Sequence, residues 1–124
     1  MTKEEKKRYL SGYTQLERSV EERLGELERL QTLQSRLPAG EAVQRSAAQL
    51  QRQLEEEMDA CVRKRARISS LIAGAGEGTA RILLEYRYLQ GCTWEQIAEK
   101  LHYSTMQIHR IHNRALEKLP SEWN

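Results

Sequence analysis

The sequence predicts an all-α protein: a long antiparallel helical hairpin followed by a small three-helix domain. Three observations carry this. Leu, Glu, Arg, Gln and Ala, all good helix formers, dominate the chain, Pro occurs only at 38 and 120, and there is no Phe. Large apolar residues recur at gaps of three or four from Tyr9 to Leu37, and the stripe resumes from Val43 to Ile72. Near the C-terminus, Thr93 and Gln96, then Ser104 and Gln107, repeat the spacing of a capping box, in which a hydroxyl and an amide side chain satisfy each other's free backbone N–H groups.

The first stripe consists of Tyr9, Tyr13, Leu16, Val20, Leu24, Leu27, Leu30, Leu33 and Leu37, one face of an amphipathic helix. Gly12 and Gly25 interrupt it at about 1 kcal/mol each relative to Ala. Thr14 and Glu17 offer a fresh helix start, but the stripe keeps its phase across Gly12, so a single rod is expected. Leu37-Pro38-Ala39-Gly40 is the expected break. The stripe resumes at Val43, Ala47, Leu50, Leu54, Met58, Cys61 or Val62, Ile68 and Ile72, a second helix of about 30 residues, near 45 Å long. Such a hairpin buries one seam only and needs further apolar surface, from a second copy or from the rest of the chain. Residues 1–73 are therefore expected to form a helical hairpin, or coiled-coil oligomerisation domain. The basic run Arg63-Lys64-Arg65-Ala66-Arg67, one to two turns after Glu55-Glu56-Glu57, reads as a solvated face, with contact to nucleic acid as the second reading. Gly74-Ala75-Gly76-Glu77-Gly78 is too rich in glycine for a helix interior and is the expected joint, at 74–78.

Residues 79–124 form the second expected domain. A helix over 79–89 presents Ile82, Leu83, Tyr86 and Leu89 and stops at Gly91. A middle helix over 94–101 has Ile97, Ala98 and Leu101 inward, and a last one over 105–118 has Ile108, Ile111, Ala115 and Leu119 inward. The small Ala98 lets these two cross closely. Between them, His102-Tyr103-Ser104 is the turn. A short helix, a three- to four-residue turn and a second helix with a polar outer face make a helix-turn-helix. Trp94 is expected to pack against the preceding helix, Tyr103 to plug the turn from inside, and Arg87 and Tyr88 to brace the helices, with phosphate as the other partner open to Arg87. His112 is expected to point partly inward and donate to backbone.

The net charge of +2 says less than its distribution. Residues 1–76 carry fourteen Lys and Arg against twelve Asp and Glu, and residues 77–124 carry six against six. Within 100–118, Lys100, Arg110, Arg114 and Lys118 face Glu117 alone, a local basic surface suited to a polyanion. No catalytic set is visible, so no enzyme is expected. The one Asp is Asp59, and the glycines of 74–78 lack the Lys-Ser/Thr of a phosphate-binding loop. Cys92, His102, His109 and His112 lack the convergence of a zinc site, and no metal or cofactor is expected. Cys61 and Cys92 have no motif spacing and read as reduced thiols. The first ten residues are too charged for a signal peptide, and no apolar run approaches the roughly 20 residues that span a bilayer. A cytoplasmic protein without membrane association is expected.

RYLQGCTWEQIAEKLHYSTMQIHRIHNRALEKL, residues 87–119, resembles region 4 of sigma-70 factors, where an Arg-Tyr-Leu-x-Gly run precedes the helix-turn-helix and an Ala-Leu-x-Lys-Leu run closes it. It is also similar to small phage-encoded proteins of Gram-positive bacteria, related to late transcriptional regulators of the ArpU and RinA type. These pair a helical hairpin with a Trp-Glu-x-Ile-Ala, Tyr-Ser-x-x-Gln and Arg-Ile-His signature. The resemblance is strong over 81–119 and weaker over 1–72. It implies a sigma region 4 type of helix-turn-helix and sequence-specific binding to double-stranded DNA in transcription control, in a phage or prophage. By position, the base readers are Thr105, Met106, His109 and Arg110, with Asn113 reaching adenine if the helix lies deep. Ser104, Gln107, Arg114 and Lys118 suit phosphate. The chain departs from sigma factors here: Met106 replaces an acidic residue, Thr105 and His109 replace arginines, and Arg110 replaces a glutamine. A sigma −35 promoter element is therefore not the expected target. The expected partners are DNA, a second copy through the hairpin to make a dimer, and RNA polymerase. Two other readings stand beside this one: a ring-forming DNA-recognition protein like a small terminase subunit, and a protein-interaction module that binds RNA polymerase without DNA.

Overall fold

The computed structural model describes residues 1–36 and 40–123, and among these all regular structure is helical. The elements are α1 (Lys3–Leu10), α2 (Gly12–Arg36), α3 (Glu41–Ala73), α4 (Thr79–Tyr88), α5 (Trp94–Leu101) and α6 (Thr105–Lys118). The expected break at 37–40 lies, apart from Gly40, outside the described residues. Contacts divide the chain into two compact units, Gln15–Arg63 and a discontinuous one made of Met1–Thr14 with Lys64–Asn124.

Within the first of these, α2 and α3 run antiparallel. Leu27, Ala47 and Leu54 form a narrow seam, edged by Val20, Leu30 and Leu50. Arg23 of α2 pairs with Glu57 of α3. The rest of the apolar stripe is not covered in this unit: Leu24, Leu33, Val43, Met58 and Val62 are exposed, the last at 70%.

The expected single rod is broken. α1 ends at Leu10, and α2 starts at Gly12 rather than at Thr14. The interruption is a bend at Ser11: its backbone N–H and its Oγ both donate to the Lys7 carbonyl, at 3.0 and 2.8 Å, and the following glycine makes a Ser-Gly pair at which helices bend. Gly12 also clears space, since a Cβ there would stand 2.7 Å from Lys64 Cε.

The discontinuous unit is built around a wider core. Leu10 of α1, Ile68 and Ile72 of α3, Leu83 and Leu84 of α4, Ile97 of α5, and Ile108 and Leu116 of α6 are all sealed from solvent. The division therefore differs from the expected boundaries at 73 and 79. Residues 1–14 and 64–73 pack with the last three helices because Leu10, Ile68 and Ile72 find their cover there. The basic run is likewise not wholly solvated: Lys64 Nζ sits 3.6 Å from the Tyr9 ring centroid, and the Arg65 guanidinium lies over Tyr13. On α4, Ile82 is 42% exposed and Leu84 takes the buried place expected of it.

Candidate nucleic-acid interface

α5 and α6 begin as their sequences dictate. Thr93 accepts from Gln96 N and Gln96 accepts from Thr93 N, and Ser104 and Gln107 repeat both bonds, closing two capping boxes. α5 ends at His102, which adopts the left-handed conformation (φ 60°, ψ 41°), with its N–H and that of Tyr103 both on the Ala98 carbonyl. This sharp reversal aims α6 away from α5. It also swings Tyr103 outward, 40% exposed, which corrects the expected inward plug.

Ile108, His112, Ala115 and Leu116 anchor α6 in the core. Thr105, Met106, His109, Arg110 and Asn113 remain exposed, as do Arg114 and Lys118. At about 100° per residue, the five expected base readers share one arc of roughly 140°. They are not equivalent. Arg110 Nη2 donates to Met106 Sδ at 3.5 Å along the outer edge of the helix. His109 instead lays its ring against Trp94, centroids 4.7 Å apart. Ser104 and Gln107 are exposed but spend their side chains on each other, with Ser104 Oγ donating to Gln107 Oε1.

Trp94 is the centre of a ring-and-cation cluster. His112 meets it edge-on at 4.7 Å, and the Arg87 guanidinium lies 4.3 Å above it while donating to the Cys92 carbonyl at 3.0 Å. His112 is buried completely rather than partly, and its partner is a side chain rather than backbone: Tyr88 Oη lies 2.7 Å from Nε2. Burial pushes the His112 pKa down to about 4, and the nearby Lys7, His109, Arg87 and Lys3 charges add to this. Burial also raises Tyr88 to about 12. The neutral ring and the un-ionised phenol therefore share one hydrogen bond, in which the ring's tautomer sets the donor.

The sequence left two residues of this region unread. Lys6 of α1 is 6% exposed and donates to the carbonyls of Leu116 (2.9 Å) and Leu119 (3.2 Å), a cation seated on the C-terminal end of α6. Leu116 is fully buried, and α1, which seats Lys6 on the Leu116 carbonyl, packs against α6. Local periodicity carries no signal for either. No group of three or more His, Cys, Asp or Glu among the described residues can hold a metal ion.

A core-forming α4, a capped α5, a left-handed turn and an anchored α6 with a bare polar arc define a helix-turn-helix domain. Residues 79–120 match the family model of Sigma-70, region 4, over about a third of the chain. This segment is thus a sigma-70 region-4-like helix-turn-helix, and the match supports a DNA-binding, transcription-related role. No curated protein and no solved structure matches the chain. No helix among the described residues is long and apolar enough to cross a membrane.

Proposed function

We propose that the chain is a sequence-specific DNA-binding transcriptional regulator of phage or prophage origin, working in the cytoplasm of a bacterial host. The observation that carries the reading is the exposed arc of α6 inside the segment that matches region 4. α6 enters the major groove with its N-terminal half at the base edges. Arg110 forks onto guanine O6 and N7, Met106 and the Thr105 methyl meet thymine methyls, and Asn113 pairs with adenine. Arg114 and Lys118 take phosphates on the flank beyond Arg110. The exposed Leu24, Leu33, Val43, Met58 and Val62 give a second copy apolar surface to cover, so two recognition helices read two half-sites.

The test is selection of bound duplexes from a random pool, with the oligomeric state measured alongside. Arg110→Ala flattens the sequence preference, whereas Lys118→Ala weakens all duplexes alike. If neither change alters binding, the reading face is wrong. A ring of eight to twelve copies in place of a dimer favours the small-terminase reading. A chain that shifts no duplex at about 50 mM salt, where phosphate contacts are strongest, favours a protein partner such as RNA polymerase.

A further inference from the structure

A helix lying in the major groove has a sugar-phosphate backbone on each side. Arg114 and Lys118 serve one flank of α6. The other flank, where His109 and Asn113 sit one turn apart, opens on a cavity of about 410 Å³ between α1, α4, α5 and α6. Trp94 and Tyr88 line it, and its charged groups come from two different helices: Lys7 from α1 and Arg87 from α4. Among the described residues no carboxylate lines it.

Both cations are available to an anion. Arg87 uses one N–H on the Cys92 carbonyl and rests its flat face on Trp94, which holds the guanidinium in place while further N–H groups remain of its five. Lys7 Nζ pairs with Glu4, 3.1 Å away, and the two side chains are 38% and 74% exposed. Exposed pairs of this kind are weak, so a phosphate can draw the ammonium off. Burial is the main cause that lowers the His112 pKa, and the charges of Lys7 and Arg87 both add to it, as expected for cations close to that ring.

The geometry points to a phosphate clamp: Lys7 and Arg87 grip one backbone phosphate of the duplex whose groove α6 enters, with His109 and Asn113 beside it. The interface then extends beyond residues 79–120 onto α1. The clamp rests on the DNA-binding reading above.

The test uses the full chain, its selected duplex and a salt titration. A phosphate contact to B-DNA contributes about 0.9 to the slope of log K against log salt. Lys7→Gln lowers the slope by about that amount, weakens every sequence alike and leaves the sequence preference intact. Glu4→Gln frees the ammonium and tightens binding. Opposite signs for these two changes are what a merely structural ion pair does not give. A wild-type slope retained in Lys7→Gln, with duplex binding intact, overturns the clamp and leaves the α6 reading standing. Wild-type protein that binds no duplex removes both. Inorganic phosphate, followed through the Trp94 indole resonance, separates the two sources of the anion. A shift that Lys7→Gln abolishes, while the duplex slope stays unchanged, makes the occupant a free anion and overturns the duplex assignment.

Discussion

The two compact units use the same helix-forming alphabet and bury it differently. In Gln15–Arg63, α2 and α3 meet along one line, Leu27, Ala47 and Leu54 each keep 5–9% exposure, and five large apolar side chains face solvent. In Met1–Thr14 with Lys64–Asn124, five helices supply side chains that are sealed completely. Two helices share one face each, so burial is linear. Several helices enclose a volume, and polar groups such as His112 and Lys6 can then be drawn in, provided each finds a partner. The segment that matches region 4 lies in the enclosed unit, where neighbours on several sides fix a side chain.

The sharpest way to break this contrast is a matched pair of core truncations. Ile108→Ala leaves a closed cavity and is expected to cost about 2–5 kcal/mol. Leu27→Ala, on a seam that can relax toward solvent, is expected near the lower end, about 2 kcal/mol. Urea unfolding followed by circular dichroism measures both, and equal costs would erase the distinction.

Next in size is acid sensitivity. His112 stays neutral in the folded protein down to about pH 4, while the unfolded chain binds its proton from about pH 6.5. The unfolded state thus holds more protons between these values. Stability is intact above pH 6.5 and falls by up to about 3 kcal/mol as the pH drops to 4. Replacing His112 with Gln is expected to flatten that part of the profile relative to wild type. An unchanged profile would mean that the ring is not held neutral by the fold.

Smaller again is Lys6→Met. It keeps the aliphatic stem but strips two carbonyls at the end of α6 of a charged donor, at about 1.5–3 kcal/mol. The same loss is expected to weaken DNA binding only in proportion to unfolding, which salt titration of the folded fraction checks. The smallest effect belongs to the hairpin. Arg23→Ala removes a half-exposed pair with Glu57 and is expected to cost about 1 kcal/mol or less, less still in high salt. A larger loss would show that the hairpin depends on polar specificity as the enclosed unit does.

What the sequence made legible follows the same line. The limits of α4, α5 and α6 and both capping boxes were readable because each depends on residues a few positions apart. Ile97, Ala98 and Ile108 were readable as core for the same reason. Leu116 and Lys6 were not, because they owe their burial to each other's helices, some 110 positions apart. The bend at Ser11 is one that apolar phase does not register. Tyr103 was misplaced because a left-handed residue before it, His102, redirects the chain, and a histidine does not advertise that conformation as a glycine does. At the interface, the exposure of Thr105, Met106 and Arg110 followed from the helical period. The turning of His109 onto Trp94 needed the third dimension.

The seating of α1 on α6 also bears on synthesis. α1 precedes α6 in the chain, so on a ribosome Leu10 and Lys6 wait, wet and unmatched, until α6 has left the tunnel. α6 in turn completes its socket only with a helix made before it. Assembly of that socket is late and all at once, and a nascent chain halted before Leu116 carries an open greasy edge for chaperones to find.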